Sequence, residues 1–169
     1  MPFISLAISV NLVSNSPDMS KIGNGIVTNL SCSGGWIGQS LTAVAGSAAW
    51  FERGFVTYRN ASKVELVGVS PEVISRAGAV SEPVVRAMAR GALSHSPADL
   101  ALAVTGIAGP DGGSVDKPVG TVWLGWVART GRERAEQYLF AGDREAVRQQ
   151  SVIEALSGLI RFLDEDSSQ

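Results

Sequence analysis

Reactive side chains are scarce in this sequence. Its 169 residues include one cysteine, one histidine and three lysines. A single cysteine excludes an internal disulfide framework and a cysteine-rich zinc site. The lone histidine, His95, sits in Ser94-His95-Ser96-Pro97 at the end of a polar helix. That is the setting of a solvated side chain, so a Ser-His-Asp triad has no natural base. Charge is sparse too. Charged residues make up 18% of the chain and the net charge is -2, so a general nucleic-acid binder with a basic face is not expected. Long apolar runs are missing as well. Phe3 to Val13 is apolar but is broken by Ser5, Ser9 and Asn11, and no Lys or Arg precedes Lys21, so neither a bilayer span nor a signal peptide is expected. These absences point to a cytoplasmic protein without nucleic-acid or membrane partners.

What is present describes one globular domain. Hydrophobic residues make up 45% of a length that buries a real core, and neither a repeat nor a dividing linker interrupts it. Residues 14 to 25 carry loop chemistry, with Ser14, Asn15, Ser16, Pro17 and Asp18 in succession. A β-branched run from Gly25 to Thr28 gives a strand ending near Leu30, followed by Ser31-Cys32-Ser33-Gly34-Gly35 and a helical pattern of Trp36, Ile37, Ser40, Leu41 and Val44, with Gly46 as its terminator. Phe55 to Tyr58 reads as a short strand, and Asn60 as the cap of a helix carrying Lys63, Val64 and Leu66. Ser70-Pro71 opens a further turn closed by Gly78, and Ser81 starts a helix with Val84, Val85, Met88 and Leu93 inward. Leu100 to Val104 is a strand covered on both faces, and Val119 to Ala128 pairs with Arg134 to Phe140 through a Thr130-Gly131 hairpin. Asp143 caps a last helix with Val147, Ala155, Leu156, Leu159, Ile160 and Leu163 inward. The alternation predicts a single three-layer α/β/α domain with a mixed β-sheet. Both glycine-rich loops follow strands, so they are expected to share one crevice.

Two chemistries are open at Ser31-Cys32-Ser33-Gly34-Gly35. Ser31 is either a plain helix cap or a nucleophile aimed at unpartnered N–H groups of a first helical turn. A nucleophilic serine needs a base. Of Lys21, Lys63 and Lys117, only Lys63 lies in an apolar neighbourhood, five residues after Tyr58. Lys63 is either a solvated helix charge or a buried amine whose pKa is lowered by desolvation, able to take the serine proton with Tyr58 relaying or positioning it. Cys32 is the rival nucleophile, but strand geometry turns it away from Ser31 and a lone cysteine among apolar neighbours is usually a buried hydrophobe. The second loop, Thr105 to Ser114, has four glycines whose main chain can approach an anion, with hydroxyls at Thr105 and Ser114. Arg144 and Arg148, four apart, suit a phosphomonoester if they point together and are otherwise an exposed pair balancing Asp143 and Glu145.

Longer blocks carry a resemblance. Phe51-Glu52-Arg53-Gly54-Phe55-Val56-Thr57-Tyr58, Gly78-Ala79-Val80-Ser81-Glu82 and Thr105-Gly106-Ile107-Ala108-Gly109-Pro110 resemble the CinA C-terminal domain family, as do Gly112-Gly113-Ser114, Lys117-Pro118-Val119-Gly120-Thr121-Val122 and Gly142-Asp143-Arg144. The likeness runs from about Thr28 to Leu163. It implies a stand-alone amidohydrolase in residues 25 to 164 that converts nicotinamide mononucleotide to nicotinate mononucleotide and ammonia in pyridine-nucleotide recycling. Residues 1 to 24 form a divergent start to the same domain, and 165 to 169 a flexible tail. By matched position the resemblance puts the nucleophile at Ser31, proton handling at Tyr58 and Lys63, and nucleotide binding at Thr105, Gly106, Gly109, Gly112, Gly113, Ser114, Arg144 and Arg148. Ser33, Gly34 and Gly35 are the expected oxyanion donors. No cofactor and no metal are called for, and the partners expected are a pyridine mononucleotide and a second copy of the chain. The family usually has Glu-Ser-Cys-Thr-Gly-Gly where this sequence has Leu30-Ser31-Cys32-Ser33-Gly34-Gly35. The alternatives are therefore a nucleotide-binding paralogue impaired by Leu30 and the altered amino-terminal start, and a structural domain using an exposed Trp50-Phe51 region as a dimer surface.

Overall fold

The computed structural model describes residues 23–166. The expectations for Phe3 to Lys21 and for the final tail residues lie outside that range. Five strands, β1 (Ile26–Leu30), β2 (Phe51–Val56), β3 (Leu100–Gly106), β4 (Thr121–Ala128) and β5 (Glu133–Leu139), form one sheet in the order β2-β1-β3-β4-β5. β1 runs parallel to both β2 and β3, and β4 and β5 complete the sheet antiparallel. Leu30 lies opposite both Val56 and Val104, so the carboxyl ends of the three parallel strands come together.

Helices cover both faces, giving the expected three layers and mixed sheet. On one face α1 (Trp36–Thr42) and α5 (Arg144–Asp166) pack over Leu30, Leu102, Leu124 and Trp126, with Val147, Leu156 and Phe162 buried among them. Trp126 is fully buried, and its indole Nε1 donates to the Ala155 carbonyl at 3.1 Å, which satisfies the one polar atom the ring brings into that layer. On the other face α2 (Asn60–Val67), α3 (Pro71–Ala77) and α4 (Glu82–Ser94) pack over Val27, Ala101, Ala103 and Val127. β3 is buried along almost its whole length, which is why Leu100 to Val104 reads as an unbroken apolar run.

Several boundaries differ from the sequence expectation for local reasons. α1 ends at Thr42, and Gly46, left-handed at φ 82°, opens a short 3-10 turn (Ser47–Ala49). β2 starts at Phe51 and ends at Val56, leaving Tyr58 beyond the strand. Trp50 and Phe51 are half-buried against the α1 and α5 layer rather than fully exposed. Arg59, not Asn60, holds the N-cap of α2, without a side-chain bond. Ser70 caps α3 as expected, accepting from the Glu72 N–H, and Asp143 Oδ1 accepts from the Ala146 N–H at the start of α5. Among the described residues, no helix is long and apolar enough to cross a membrane.

Candidate active site

Ser31 is the first residue past β1. Its N–H donates to the Val104 carbonyl at 3.2 Å and its own carbonyl accepts from Gly34 at 3.0 Å, so the main chain is fixed on both sides of the side chain. The turn that follows uses Gly34 and Gly35 at φ 61° and 100°, a conformation that costs other residues steric strain. Gly35 is the N-cap of α1. Ser31 therefore stands four residues ahead of the cap position, and the helix-cap reading of this serine does not hold.

Lys63 reaches Ser31 from α2. It is 1% exposed, and Nζ lies 3.3 Å from Ser31 Oγ, 2.8 Å from the Thr57 carbonyl and 3.3 Å from the Tyr58 carbonyl. Burial pushes the amine pKa below its ordinary value, with nearby Cys32 working the other way. A neutral amine has two hydrogens and one lone pair. In its neutral form, the two main-chain carbonyls can take those hydrogens, so that the lone pair can face the Ser31 hydroxyl. The solvated-charge reading of Lys63 is thereby overturned.

Cys32 points into the α1 and α5 layer and is 5% exposed. Burial pushes its thiol up to about 11, so it stays protonated at neutral pH and is a poor nucleophile. His95 is exposed, with Nδ1 against the Gly91 carbonyl, as its polar setting suggests.

Ser31, Lys63 and both loops meet in one cleft of about 260 Å³. Tyr58, Thr105, Gly106, Gly109, Gly112 and Arg144 line it as expected. Gly109 has φ 82°, and a Cβ there would sit 2.6 Å from Val119, so both torsion and space require glycine. Thr105 spends its hydroxyl hydrogen on the Ala79 carbonyl at 2.8 Å, which holds the loop before α4 against the cleft wall. Tyr58 is tied to Lys63 only through its carbonyl. Its phenol oxygen accepts from Arg144 at 2.8 Å, and the same guanidinium donates to the Gly109 carbonyl at 2.8 Å.

Six expected residues lie elsewhere. Ser33, Gly34 and Gly35 do not line the cleft, and the Gly34 N–H is already bonded to the Ser31 carbonyl. Gly113 and Ser114 line an adjoining outer groove with Val115 and Pro118, which shares Asp111 and Gly112 with the cleft, and Ser114 Oγ accepts from the Lys117 N–H at 3.1 Å. Arg148 also diverges from Arg144. It donates to the Ser33 carbonyl at 3.0 Å and lies 5.4 Å from the centre of the Trp36 ring, outside the cleft. Sequence reasoning missed Asn60 and Asp111, which do line the cleft. Their signal was position: Asn60 lies between Tyr58 and Lys63, and Asp111 within the glycine loop.

The CinA C-terminal domain model matches residues 16–163. The chain belongs to the CinA C-terminal domain family. Among curated CinA-family relatives, a nicotinamide-nucleotide amidohydrolase PncC from Enterobacter agglomerans is 54% identical over 131 residues, covering 78% of this chain and 80% of that protein. The protein of the same name from Escherichia coli strain K12 is 51% identical over 137 residues, 81% of this chain and 83% of the relative. Solved CinA-family structures agree in fold. The competence/damage inducible protein CihA from Agrobacterium tumefaciens has a TM-score of 0.85 at 40% identity, covering 93% of this chain and 94% of that one. A CinA superfamily protein from Klebsiella pneumoniae 700603 has a TM-score of 0.87 at 34% identity, covering 95% and 98%.

Proposed function

We propose that this chain is an active amidohydrolase that converts nicotinamide mononucleotide to nicotinate mononucleotide and ammonia. The observation that carries the reading is the Lys63 amine, buried, bonded to two carbonyls and 3.3 Å from Ser31 Oγ. The names of the PncC relatives supply the substrate class.

In this reading Ser31 Oγ attacks the carboxamide carbon while its proton passes to Lys63. The pyridinium ring withdraws electrons, so this carboxamide is more electrophilic than a peptide. Charge on the tetrahedral oxygen would be met by the Cys32 N–H, next after the nucleophile, and by main chain of the Ala108–Gly109 segment, since both line the cleft. Each such donor contributes about 3 kcal/mol in comparable sites. Lys63 then returns its proton to the leaving nitrogen, ammonia departs, and an acyl-Ser31 ester remains. Water attacks that ester with Lys63 again accepting the proton, which frees nicotinate mononucleotide and restores Ser31. Arg144, already braced by Gly109 and Tyr58, faces the cleft with donors suited to a phosphate.

Leu30 supports the active reading over the impaired one. Its side chain is 2% exposed and packs in the α1 and α5 layer, on the opposite side of β1 from Lys63, and it does not line the cleft. The homodimer and the cytoplasmic location expected from the sequence belong to the same proposal; light scattering and cell fractionation test them.

The direct test is ammonia release from nicotinamide mononucleotide. The wild type releases ammonia stoichiometric with nicotinate mononucleotide, and Ser31→Ala releases none above background. A wild type that binds the nucleotide without turnover, or a Ser31→Ala variant as active as wild type, overturns the proposal.

A further inference from the structure

Asn29 lies mid-strand in β1 with no exposed surface, beside an apolar layer that includes Val27, Val85 and Met88. A carboxamide there costs about 1–3 kcal/mol unless its groups are bonded. Both are. Nδ2 donates to the Met88 carbonyl of α4 at 3.0 Å, and Oδ1 accepts from Thr57 Oγ1 at 2.7 Å.

Thr57 is also fully buried, and every polar group it has is engaged. Its N–H donates to the Leu30 carbonyl at 2.9 Å, its hydroxyl donates to Asn29, and its carbonyl accepts from Lys63 Nζ at 2.8 Å. Thr57 lies just past the end of β2, where the chain leaves the sheet for α2. Beyond the Thr57 N–H the β1–β2 ladder stops, and the side-chain bond to Asn29 is the further contact from β1 that holds this residue.

We infer that Asn29 and Thr57 are positioning residues for the Ser31–Lys63 pair: Asn29 orients Thr57, whose carbonyl takes one amine hydrogen and so keeps the amine lone pair on the Ser31 hydroxyl. The inference rests on the serine–lysine chemistry proposed above. Neither residue touches the substrate. Asn29 does not line the cleft, and Thr57 does not either.

The test separates this inference from the nucleotide reading by using a probe that needs no nucleotide. A small sulfonyl fluoride modifies Ser31: Oγ bonds to sulfur, fluoride leaves, and the serine proton passes to Lys63. Mass spectrometry gives the labelling rate against pH, and steady-state kinetics with nicotinamide mononucleotide gives kcat and KM. Thr57→Val keeps the shape and removes the hydroxyl; Thr57→Ser keeps the hydroxyl. Expected for Thr57→Val is labelling about 10- to 100-fold slower at its plateau, with its acid limb displaced to lower pH because the ammonium loses a carbonyl acceptor. Its kcat falls by a like factor with KM within about twofold. Thr57→Ser stays within about twofold of wild type in all of these. If Thr57→Val does not melt cooperatively, Asn29→Leu, similar in volume, takes its place with the same slow labelling expected. Wild-type rate and profile in Thr57→Val, Thr57→Ser as slow as Thr57→Val, or a wild type whose Ser31 is not labelled, each overturns the inference. Fast wild-type labelling without ammonia release overturns the nucleotide reading alone.

Discussion

Lys63 is an amine placed where an ammonium is poorly solvated, and its titration has two consequences of fixed sign. Its folded pKa lies below the ordinary lysine value of 10.5 because burial penalises the charged form. Activity therefore rises as pH climbs through that lowered value and levels off above it, so the acid limb of kcat/KM falls below the lysine range. For stability, the unfolded chain binds more protons than the folded one between the lowered value and 10.5. Wild-type stability gains with pH inside that window, and the cost of burying the amine is fully present below it. Urea unfolding of wild type and Lys63→Met from pH 6 upward should show the difference moving in favour of the wild type as pH rises. A pH-independent difference would mean that Lys63 is not desolvated. Ser31 and Cys32 were legible in the sequence because neighbouring residues leave a strand on opposite faces. The burial of Lys63 was not. The apolar residues of Asn60–Val67 form no clean stripe, so nothing local marks which face turns inward.

At the element scale, α5 divides two arginines that spacing alone would pair. One turn apart on the helix, Arg144 enters the cleft and Arg148 leans over Trp36 toward the Ser33 carbonyl. Their substitutions should behave differently. Arg144→Ala loses a charged donor that contributes about 1.5–3 kcal/mol, so KM for nicotinamide mononucleotide rises about 10- to 100-fold. Arg148→Ala keeps KM within about threefold but lowers stability by about 1–2 kcal/mol, through a lost bond to Ser33 and a lost contact with Trp36. Equal KM effects in the two variants would show that both reach the ligand. The i,i+4 rule put both residues on one face correctly, yet long side chains diverge beyond the Cβ, and backbone spacing does not encode that. The glycine turn is similar. Its glycines announce a sharp bend, but the bond from Gly34 to the Ser31 carbonyl, which removes that N–H from the oxyanion inventory, exists only in three dimensions.

Across the whole molecule, the sheet separates two apolar layers and brings both glycine loops to one end. This much was readable, because Leu100 to Val104 is apolar on both faces and each loop follows such a strand. Strand order was not, since the register of β1 between β2 and β3 is set by long-range pairing. A ligand seated in the shared cleft touches segments from β1, α2, β3 and α5 at once, so binding should stabilise the fold as a unit. At a nucleotide concentration 100 times Kd the gain is about 2.7 kcal/mol. For a domain of this size, that corresponds to a Tm rise of about 5–10 °C, measurable by thermal shift. No rise at saturating nicotinamide mononucleotide would argue that the cleft is not its site.

The antiparallel half of the sheet has a use of its own. β4 leaves the reactive end beside Gly106 and finishes opposite Leu100, so the turn to β5 lies at the far pole of the molecule. Its tip, Thr130 and Gly131, is exposed, and no Cβ at Gly131 would meet a neighbour. Foreign peptide spliced between those two residues would hang from the pole that does no chemistry, a ready attachment point for a fluorophore, an affinity handle or a second enzyme.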